Sequence, residues 1–134
     1  MRIFKISILF ITLSSLSCKQ PILKCRDVKT GKFYYYSKLI RDKVIINRID
    51  TMQTETRANG VVFKSKVLWK NDCTFDLYVN SLHEPRLTGD DSILASIPIT
   101  VRIKYIGPQY YICESIMKRP GVSFELLDTM YLMK

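Results

Sequence analysis

Residues 63–80 read Phe-Lys-Ser-Lys-Val-Leu-Trp-Lys-Asn-Asp-Cys-Thr-Phe-Asp-Leu-Tyr-Val-Asn, and this stretch decides the fold. Every second residue falls on a common, mostly apolar face: Phe63, Ser65, Val67 and Trp69 in the first half, then Cys73, Phe75, Leu77 and Val79 in the second. A period of two is typical of half-buried strands. The Asn-Asp pair at 71–72 is typical of a turn. The stretch therefore predicts a β-hairpin with one apolar face.

The same alternation recurs on both sides of this hairpin. It predicts strands at 32–37, 44–48, 97–105, 109–118 and 122–132, and we interpret residues 51–57, which alternate poorly but are rich in Thr, as a further strand. Asn59-Gly60 and Gly107-Pro108 mark turns, and only residues 81–96 lack the period and are expected to form a long loop. Seven or eight strands joined mostly by short turns predict an all-β antiparallel meander. Such a sheet must curl or close to protect its edges, so we expect a curled sheet or a lipocalin-like barrel.

The N-terminus carries an export signal. Residues 1–17 combine a basic start, a short apolar run and small residues, which is typical of a secretory signal peptide. The apolar run is shorter than the roughly 20 residues that a membrane-spanning helix needs. A cut before Cys18 resembles the lipobox of bacterial lipoproteins, although Ser15 stands where Leu is usual. We predict a signal peptide at 1–17, a lipidated tether at 18–24 that begins at Cys18, and one β domain at 25–134.

Two other interpretations of the N-terminus stay open. One is an ordinary signal peptide followed by an unmodified cysteine, and the other is an anchor that is never cleaved. If Cys18 carries several acyl chains, it holds the protein firmly to a membrane, whereas a single chain binds only marginally. The predicted partner of this end is therefore a membrane, reached through lipid on Cys18.

The charge of the chain excludes one class of partner. The net charge is +9, and it falls to +7 when Arg2 and Lys5 leave with the signal peptide. The basic residues are scattered and often alternate with apolar ones, as on solvated strand faces, and they form no Lys/Arg block. We therefore expect no nucleic-acid partner. Anionic lipid headgroups or acidic glycans fit the charge better, since each basic residue near an anionic membrane contributes about 1 kcal/mol.

The cysteine count indicates an oxidising compartment. With Cys18 lipidated, Cys25, Cys73 and Cys113 remain, which allows one disulfide and one free thiol. Cys25 lies in the lead-in before the first strand and Cys73 opens a strand after a turn, so we predict a Cys25–Cys73 disulfide. Cys113 lies in mid-strand, where a reduced thiol packs as a small apolar group. We expect no metal or other cofactor, because there is no CxxC pair and His83 has no partner at ligand spacing.

Three segments together resemble a known group of proteins. They are Cys-Arg-Asp-Val-Lys-Thr-Gly-Lys-Phe at 25–33, Asn-Arg-Ile-Asp-Thr-Met-Gln-Thr-Glu at 47–55 and Trp-Lys-Asn-Asp-Cys-Thr-Phe-Asp-Leu at 69–77. Their order and spacing resemble small lipoproteins of flavobacteria and other Bacteroidetes. Val28 replaces the Phe of that group and Ile49 replaces its Asn, and the similarity fades after about Leu82. The third segment is the most specific of the three.

The resemblance implies a lipoprotein of the cell envelope, most simply of the outer membrane, whose function is unknown. The paired cysteines of the group match Cys25 and Cys73. Some members carry the label DNA topoisomerase IV, which fits this chain poorly. That enzyme needs a large clamp around duplex DNA, a nucleophilic tyrosine beside Mg²⁺-binding carboxylates and a cytoplasmic location.

Candidate site residues are few. Trp69, Phe75 and Tyr110 could line a ligand pocket, although Trp69 is expected to fill the core of the curled sheet instead. The tyrosines of 33–36 and 110–111 could stack on sugars, or place their rings at the sheet edge with their hydroxyls in water. Arg48 and Glu55 are expected to form a cross-strand ion pair that contributes below about 1 kcal/mol.

The predicted function is a non-catalytic binding or docking module whose ligand is a small apolar molecule, a glycan or an envelope protein. The alternative is a small periplasmic hydrolase or a carbohydrate-binding accessory protein. No catalytic residue is predicted, because no nucleophile or third partner can be placed with His83 and Glu84. Asp90 and Asp91 lack the alternating ligand spacing of a calcium loop.

Overall fold

The computed structural model describes residues 22–49, 51–82, 97–119 and 122–134. A 3-10 helix at Cys25–Val28 precedes eight strands: β1 (Gly31–Ser37), β2 (Asp42–Ile49), β3 (Met52–Arg57), β4 (Val62–Asn71), β5 (Thr74–Leu82), β6 (Ile99–Ile106), β7 (Tyr110–Arg119) and β8 (Val122–Leu132). Each strand pairs with its neighbours in the chain, and β1 pairs with β8, so the sheet is a closed barrel. All pairs are antiparallel. The all-β prediction is confirmed, and the sheet takes the form of a barrel.

The first and last strands close the barrel over a short ladder. Phe33 lies opposite Leu132 and Tyr34 opposite Tyr131. The backbone N–H of Met133 also donates a hydrogen bond of 2.9 Å to the carbonyl of Lys32. Closure pairs every strand on both sides, which removes the exposed edges that an open meander would present.

The barrel has two different ends. We call the end that carries the 3-10 helix and the turns at 72–73 and 107–109 the closed end, and the end that carries the turns at 38–41 and 58–61 the open end. Gly60, with φ of +84°, supplies the left-handed conformation of the turn predicted at Asn59-Gly60. Alternate residues of each strand face the interior, where the core includes Phe33, Ile46, Val67, Phe75, Leu77, Val101, Tyr111 and Met130.

The 3-10 helix plugs the closed end. Val28 is 0% exposed and belongs to the main core cluster. Cys25 and Cys73 form a disulfide, which confirms that prediction and ties the plug to the β4–β5 hairpin. The ammonium group of Lys29 adds an ion pair of 2.7 Å with Asp72 on the same hairpin. Cys113 is a buried free thiol, as predicted.

Several predictions fall outside the described residues. They include the signal peptide at 1–17, Cys18 and most of the tether, and also His83, Glu84, Asp90 and Asp91. Within the part of the chain that the structure describes, no helix is long and apolar enough to cross a membrane.

Candidate binding site inside the barrel

Arg48 lies buried in the barrel interior, next to the 3-10 helix at the closed end. It follows Val44 and Ile46 on the inward face of β2, and it is 2% exposed. Its Nε donates a hydrogen bond of 2.8 Å to Oε1 of Gln53, its partner residue on β3. Its two terminal nitrogens donate to the Val28 carbonyl at 2.9 Å and to the Tyr111 hydroxyl at 3.2 Å.

Three aromatic rings surround the same guanidinium group. Its central carbon lies 4.5 Å from the ring centroid of Phe75, 5.3 Å from that of Phe33 and 5.8 Å from that of Trp69. A buried cation is tolerated only when hydrogen bonds and favourable charge contacts compensate its desolvation, and aromatic faces supply part of that compensation. Arg48 therefore joins the plug, β3 and β7 into a rigid floor.

A line of polar side chains rises from this floor. Nε2 of Gln53 donates a hydrogen bond of 2.8 Å to Oε1 of Glu55. Tyr35 lines the same two cavities as Glu55. Glu55 and Tyr35 face the barrel interior from β3 and β1, so the polar line connects the closed end to the middle of the barrel.

Burial changes the acidity of the interior groups. Desolvation raises the pKa of Glu55, against the opposing effects of the hydrogen bond from Gln53 and of the charges on Arg48 and Arg57. Desolvation also raises the pKa of Asp128, although the nearby charge of Lys38 opposes the shift. The pKa of Tyr35 is raised by burial first and by the charge of Glu55 second. These groups hold their protons more strongly than they would in water.

Two cavities lie among these groups. One has a volume of about 200 Å³ and reaches down to Arg48 and Tyr111. The other has a volume of about 240 Å³ and reaches up to Arg57 and Phe63. Both share Tyr35, Leu39, Glu55, Leu77 and Ile99 in their walls. Mostly apolar walls with a few fixed polar groups are typical of sites for small molecules.

The polar and sulfur groups of the lining are few. Within residues 22–49, 51–82, 97–119 and 122–134, no group of three or more His, Cys, Asp or Glu side chains could hold a metal ion. Cys113 lines the lower cavity, but burial raises the pKa of its thiol to about 12. A protonated thiol is a poor nucleophile. The arrangement can hold a molecule with an apolar body and a small polar group.

The three candidate lining residues, Trp69, Phe75 and Tyr110, have different surroundings in the structure. Phe75 lines the lower cavity. Trp69 packs beneath it, with ring centroids 4.5 Å apart, and the ammonium group of Lys29 lies 5.1 Å from the Trp69 centroid. Tyr110 follows the outward side of β7, and its ring centroid lies 6.4 Å from that of Tyr131. Of the three, Phe75 thus has a place in a cavity wall.

The structure also revises the expectation for Arg48 and Glu55. Both face the interior, and Gln53 joins them through two hydrogen bonds in place of a direct ion pair. The site residues that the sequence did not indicate are Gln53 and Asp128. Tyr35, Tyr111 and Glu55 were noted in the sequence for other roles, and their place in the interior was not predicted. A usable signal is their strand register, because Gln53 and Glu55 lie opposite Arg48 and Ile46.

Comparison with known proteins adds no relative. Neither the protein-family models nor the curated proteins nor the solved structures contain a match to this chain. The functional assignment therefore depends on the residues and geometry of the barrel.

Proposed function

We propose that the protein is a non-catalytic binding module of the cell envelope that holds a small, largely apolar molecule inside its barrel. The observation that supports this most strongly is the pair of apolar-walled cavities above the rigid floor made by Arg48, Gln53 and Tyr111. A preformed floor reduces the ordering cost of binding, since the side chains that meet the ligand are already fixed.

The rim supplies a route of entry. Leu39, in the β1–β2 turn, is 74% exposed and lines both cavities, and Ile40 beside it is 39% exposed and lines the upper one. Apolar side chains at a cavity rim favour capture of an apolar body from water. The open end is therefore the proposed entrance.

Glu55 and Tyr35 define the polar end of the ligand. Both contribute to the walls of both cavities, and burial raises the pKa of both side chains. A neutral hydroxyl or amide group could exchange hydrogen bonds with them without burying another charge. We therefore propose an apolar ligand with one neutral polar group.

We further propose that Cys18 carries the lipid that holds this module to a membrane. The export signal at 1–17 and the resemblance to flavobacterial lipoproteins support this part of the proposal. We favour binding over hydrolysis because the thiol that lines the lower cavity stays protonated at neutral pH.

A matched pair of neighbouring substitutions tests ligand binding. Leu126 lines the lower cavity, whereas Leu127 is 54% exposed on the outside. We expect the fluorescent probe N-phenyl-1-naphthylamine to bind the parent and Leu127→Trp with similar affinity. Leu126→Trp fills the cavity and should weaken binding at least about tenfold, a loss of about 1.4 kcal/mol. Equal affinities for the two variants, or no binding to the parent, would contradict the proposal.

Mass spectrometry tests the anchor. The protein purified from membranes should carry diacyl or triacyl mass on the peptide that begins at Cys18, and Cys18→Ser should lack it. Recovery of the parent as a soluble product without lipid would contradict the anchoring part alone and would leave the cavity proposal intact.

A further inference from the structure

The closed end is where the proposed anchor joins the barrel. Ile22, the first described residue, is 89% exposed and is followed closely by the 3-10 helix that forms the plug. Fully extended, residues 18–24 span about 20 Å. A barrel whose strands have 6 to 11 residues and tilt against its axis is about 20–25 Å high. The tether would have to lie fully extended along the whole barrel for the open end to face the membrane, so its length favours the closed end as the end nearer the membrane.

Tyrosines surround part of the same end. Tyr105, Tyr110 and Tyr131 lie within two residues of the closed end of β6, β7 and β8. Their ring centroids are 6.0 Å apart for the first pair and 6.4 Å for the second. Tyr105 is 54% exposed and Tyr131 is 38% exposed. A Cβ at Gly107 would lie 2.5 Å from the Tyr110 ring, so the glycine is what allows this ring to lie against the turn.

Tyrosines in such a belt suit the boundary between a membrane and water, because the ring is apolar and the hydroxyl is polar. Fully apolar side chains are exposed near them: Ile49 at the end of β2 is 64% exposed and Met133 after β8 is 37% exposed. The closed end therefore combines an aromatic belt with apolar groups that can enter the headgroup region.

The charge of the closed end suits anionic lipid. Lys24, Arg26, Lys32 and Lys104 are exposed there. Of the acidic side chains nearby, Asp27, Asp72 and Glu114 lie within 4 Å of Arg26, Lys29 and Lys104 respectively, and Asp72 makes the shortest contact at 2.7 Å. Basic side chains also occur at the open end, among them Lys64 and Lys118. Charge thus attracts the whole barrel to an anionic surface, and the tether and tyrosines select the end.

We propose that the closed end docks on the surface of a bilayer that contains anionic lipid, so that the open end of the barrel faces away from the membrane. This inference rests on the anchoring part of the proposed function and does not require that a ligand be bound. Its consequence is that the cavities take their ligand from the aqueous side and not from the bilayer that holds the protein.

Two tryptophan variants of the full chain test the orientation. Ile49→Trp places a reporter at the closed end, and Ala58→Trp places one in the exposed β3–β4 turn at the open end. Each is purified from membranes and reconstituted with vesicles of phosphatidylcholine and brominated phosphatidylglycerol, and the signal of Trp69 in the parent is subtracted. We expect bromine to quench Ile49→Trp about twofold or more relative to Ala58→Trp, because docked side chains enter about 5–10 Å into the interface.

A charge-reversal pair tests the electrostatic part. Adding Lys24→Glu and Lys32→Glu to the Ile49→Trp variant should remove most of its quenching. Adding Lys64→Glu and Lys118→Glu, which changes the net charge equally at the open end, should leave most of it. Equal quenching at positions 49 and 58, or an equal response to the two reversals, would overturn the docking proposal. If neither tryptophan variant floats with the vesicles, anchoring and docking fall together, whereas flotation with equal quenching overturns docking alone.

Discussion

The closed and open ends of the barrel differ in what fills the interior. At the closed end Val28 is 0% exposed, Arg48 uses its nitrogens in three hydrogen bonds, and a disulfide holds the plug. Towards the open end the same interior contains cavities and the carboxyls of Glu55 and Asp128, whose pKa values burial raises. Stabilising contacts are therefore concentrated at the closed end. Desolvated polar groups and unfilled space, which both reduce stability, lie towards the open end.

The largest effect should come from the arginine of the closed end. Arg48→Ala removes three hydrogen bonds and leaves Gln53, Val28 and Tyr111 with buried polar atoms to satisfy. We expect the free energy of unfolding to fall by about 3–5 kcal/mol, the usual cost of breaking a buried charged network. The measurement is urea unfolding followed by far-UV circular dichroism.

The matched control is the interior-facing arginine of the open end. Arg57 is half-buried and its guanidinium carbon lies 4.5 Å from the Phe63 ring centroid. Arg57→Ala should cost less than about 1 kcal/mol, since a cation–π contact near the surface contributes no more than this. Similar losses of unfolding free energy for Arg48→Ala and Arg57→Ala would contradict the proposed difference between the ends.

The disulfide should have the next largest effect. Replacing Cys25 and Cys73 together by alanine releases the plug from the β4–β5 hairpin and removes a cross-link over a sequence separation of 48. We expect a loss of about 3 kcal/mol. Cys113→Ala serves as the control, because it removes a sulfur without changing the cross-link and should cost about 1 kcal/mol. A double variant as stable as the parent would show that the plug does not need its covalent tie.

The pH dependence of stability should have opposite signs for a carboxyl near each end of the barrel. The pKa of Glu55 lies above its ordinary value of 4.5, so from about pH 4.5 upwards the unfolded chain releases the proton first and stability falls with rising pH. Glu55→Gln removes this decline and should gain stability over the parent as the pH rises. It keeps an oxygen to accept the hydrogen bond from Gln53.

Asp72 provides the opposite case. Its hydrogen bond with Lys29, and then the charge of Lys29, hold its pKa below the ordinary value of 3.8. Its contribution is present above pH 3.8 and is lost as the pH falls through the lowered pKa. Thermal unfolding of Glu55→Gln and Asp72→Asn between pH 3 and 8 separates the two. Parallel pH profiles for both variants and the parent would show that neither carboxyl is perturbed as described.

The smallest effect should be seen at Cys113. Burial raises the pKa of its thiol to about 12, and the residue is 1% exposed. We expect no modification by iodoacetamide at pH 8 in the folded protein and full modification in urea. Peptide mapping by mass spectrometry measures both. Rapid labelling of the folded protein would indicate that the lower cavity opens to solvent far more than its walls suggest.

Much of the fold could be predicted from the sequence because the outward and inward positions differ in chemistry. Lys64 and Lys66 alternate with Ser65 and Val67, and the structure places the lysines outside. A closed barrel was one of the two expected forms, but the register of closure could not be predicted, since the pairing of Tyr34 with Tyr131 depends on the tilt and stagger of all eight strands. Alternation alone gives the faces of a strand and says nothing about which distant strand completes the sheet.

The site was less predictable, because its polar residues break the pattern that reveals strands. Gln53 and Glu55 face inward from a Thr-rich strand that alternates poorly, so their side chains look solvated in the sequence. Tyr35 and Tyr111 face inward while Tyr34 and Tyr110 lie on the other face, and one residue of register decides between these outcomes. Phe75 was predictable as a cavity residue because it lies on the apolar face of a strand whose alternation is clear.

The most direct test of the central claim is native mass spectrometry of the protein purified without organic solvent. We predict that the parent and Leu127→Trp carry the same bound small molecule, released on unfolding, and that Leu126→Trp is recovered without it. An identical adduct on Leu126→Trp, or a parent that carries none and binds no N-phenyl-1-naphthylamine, would contradict the claim that the barrel interior is a binding site.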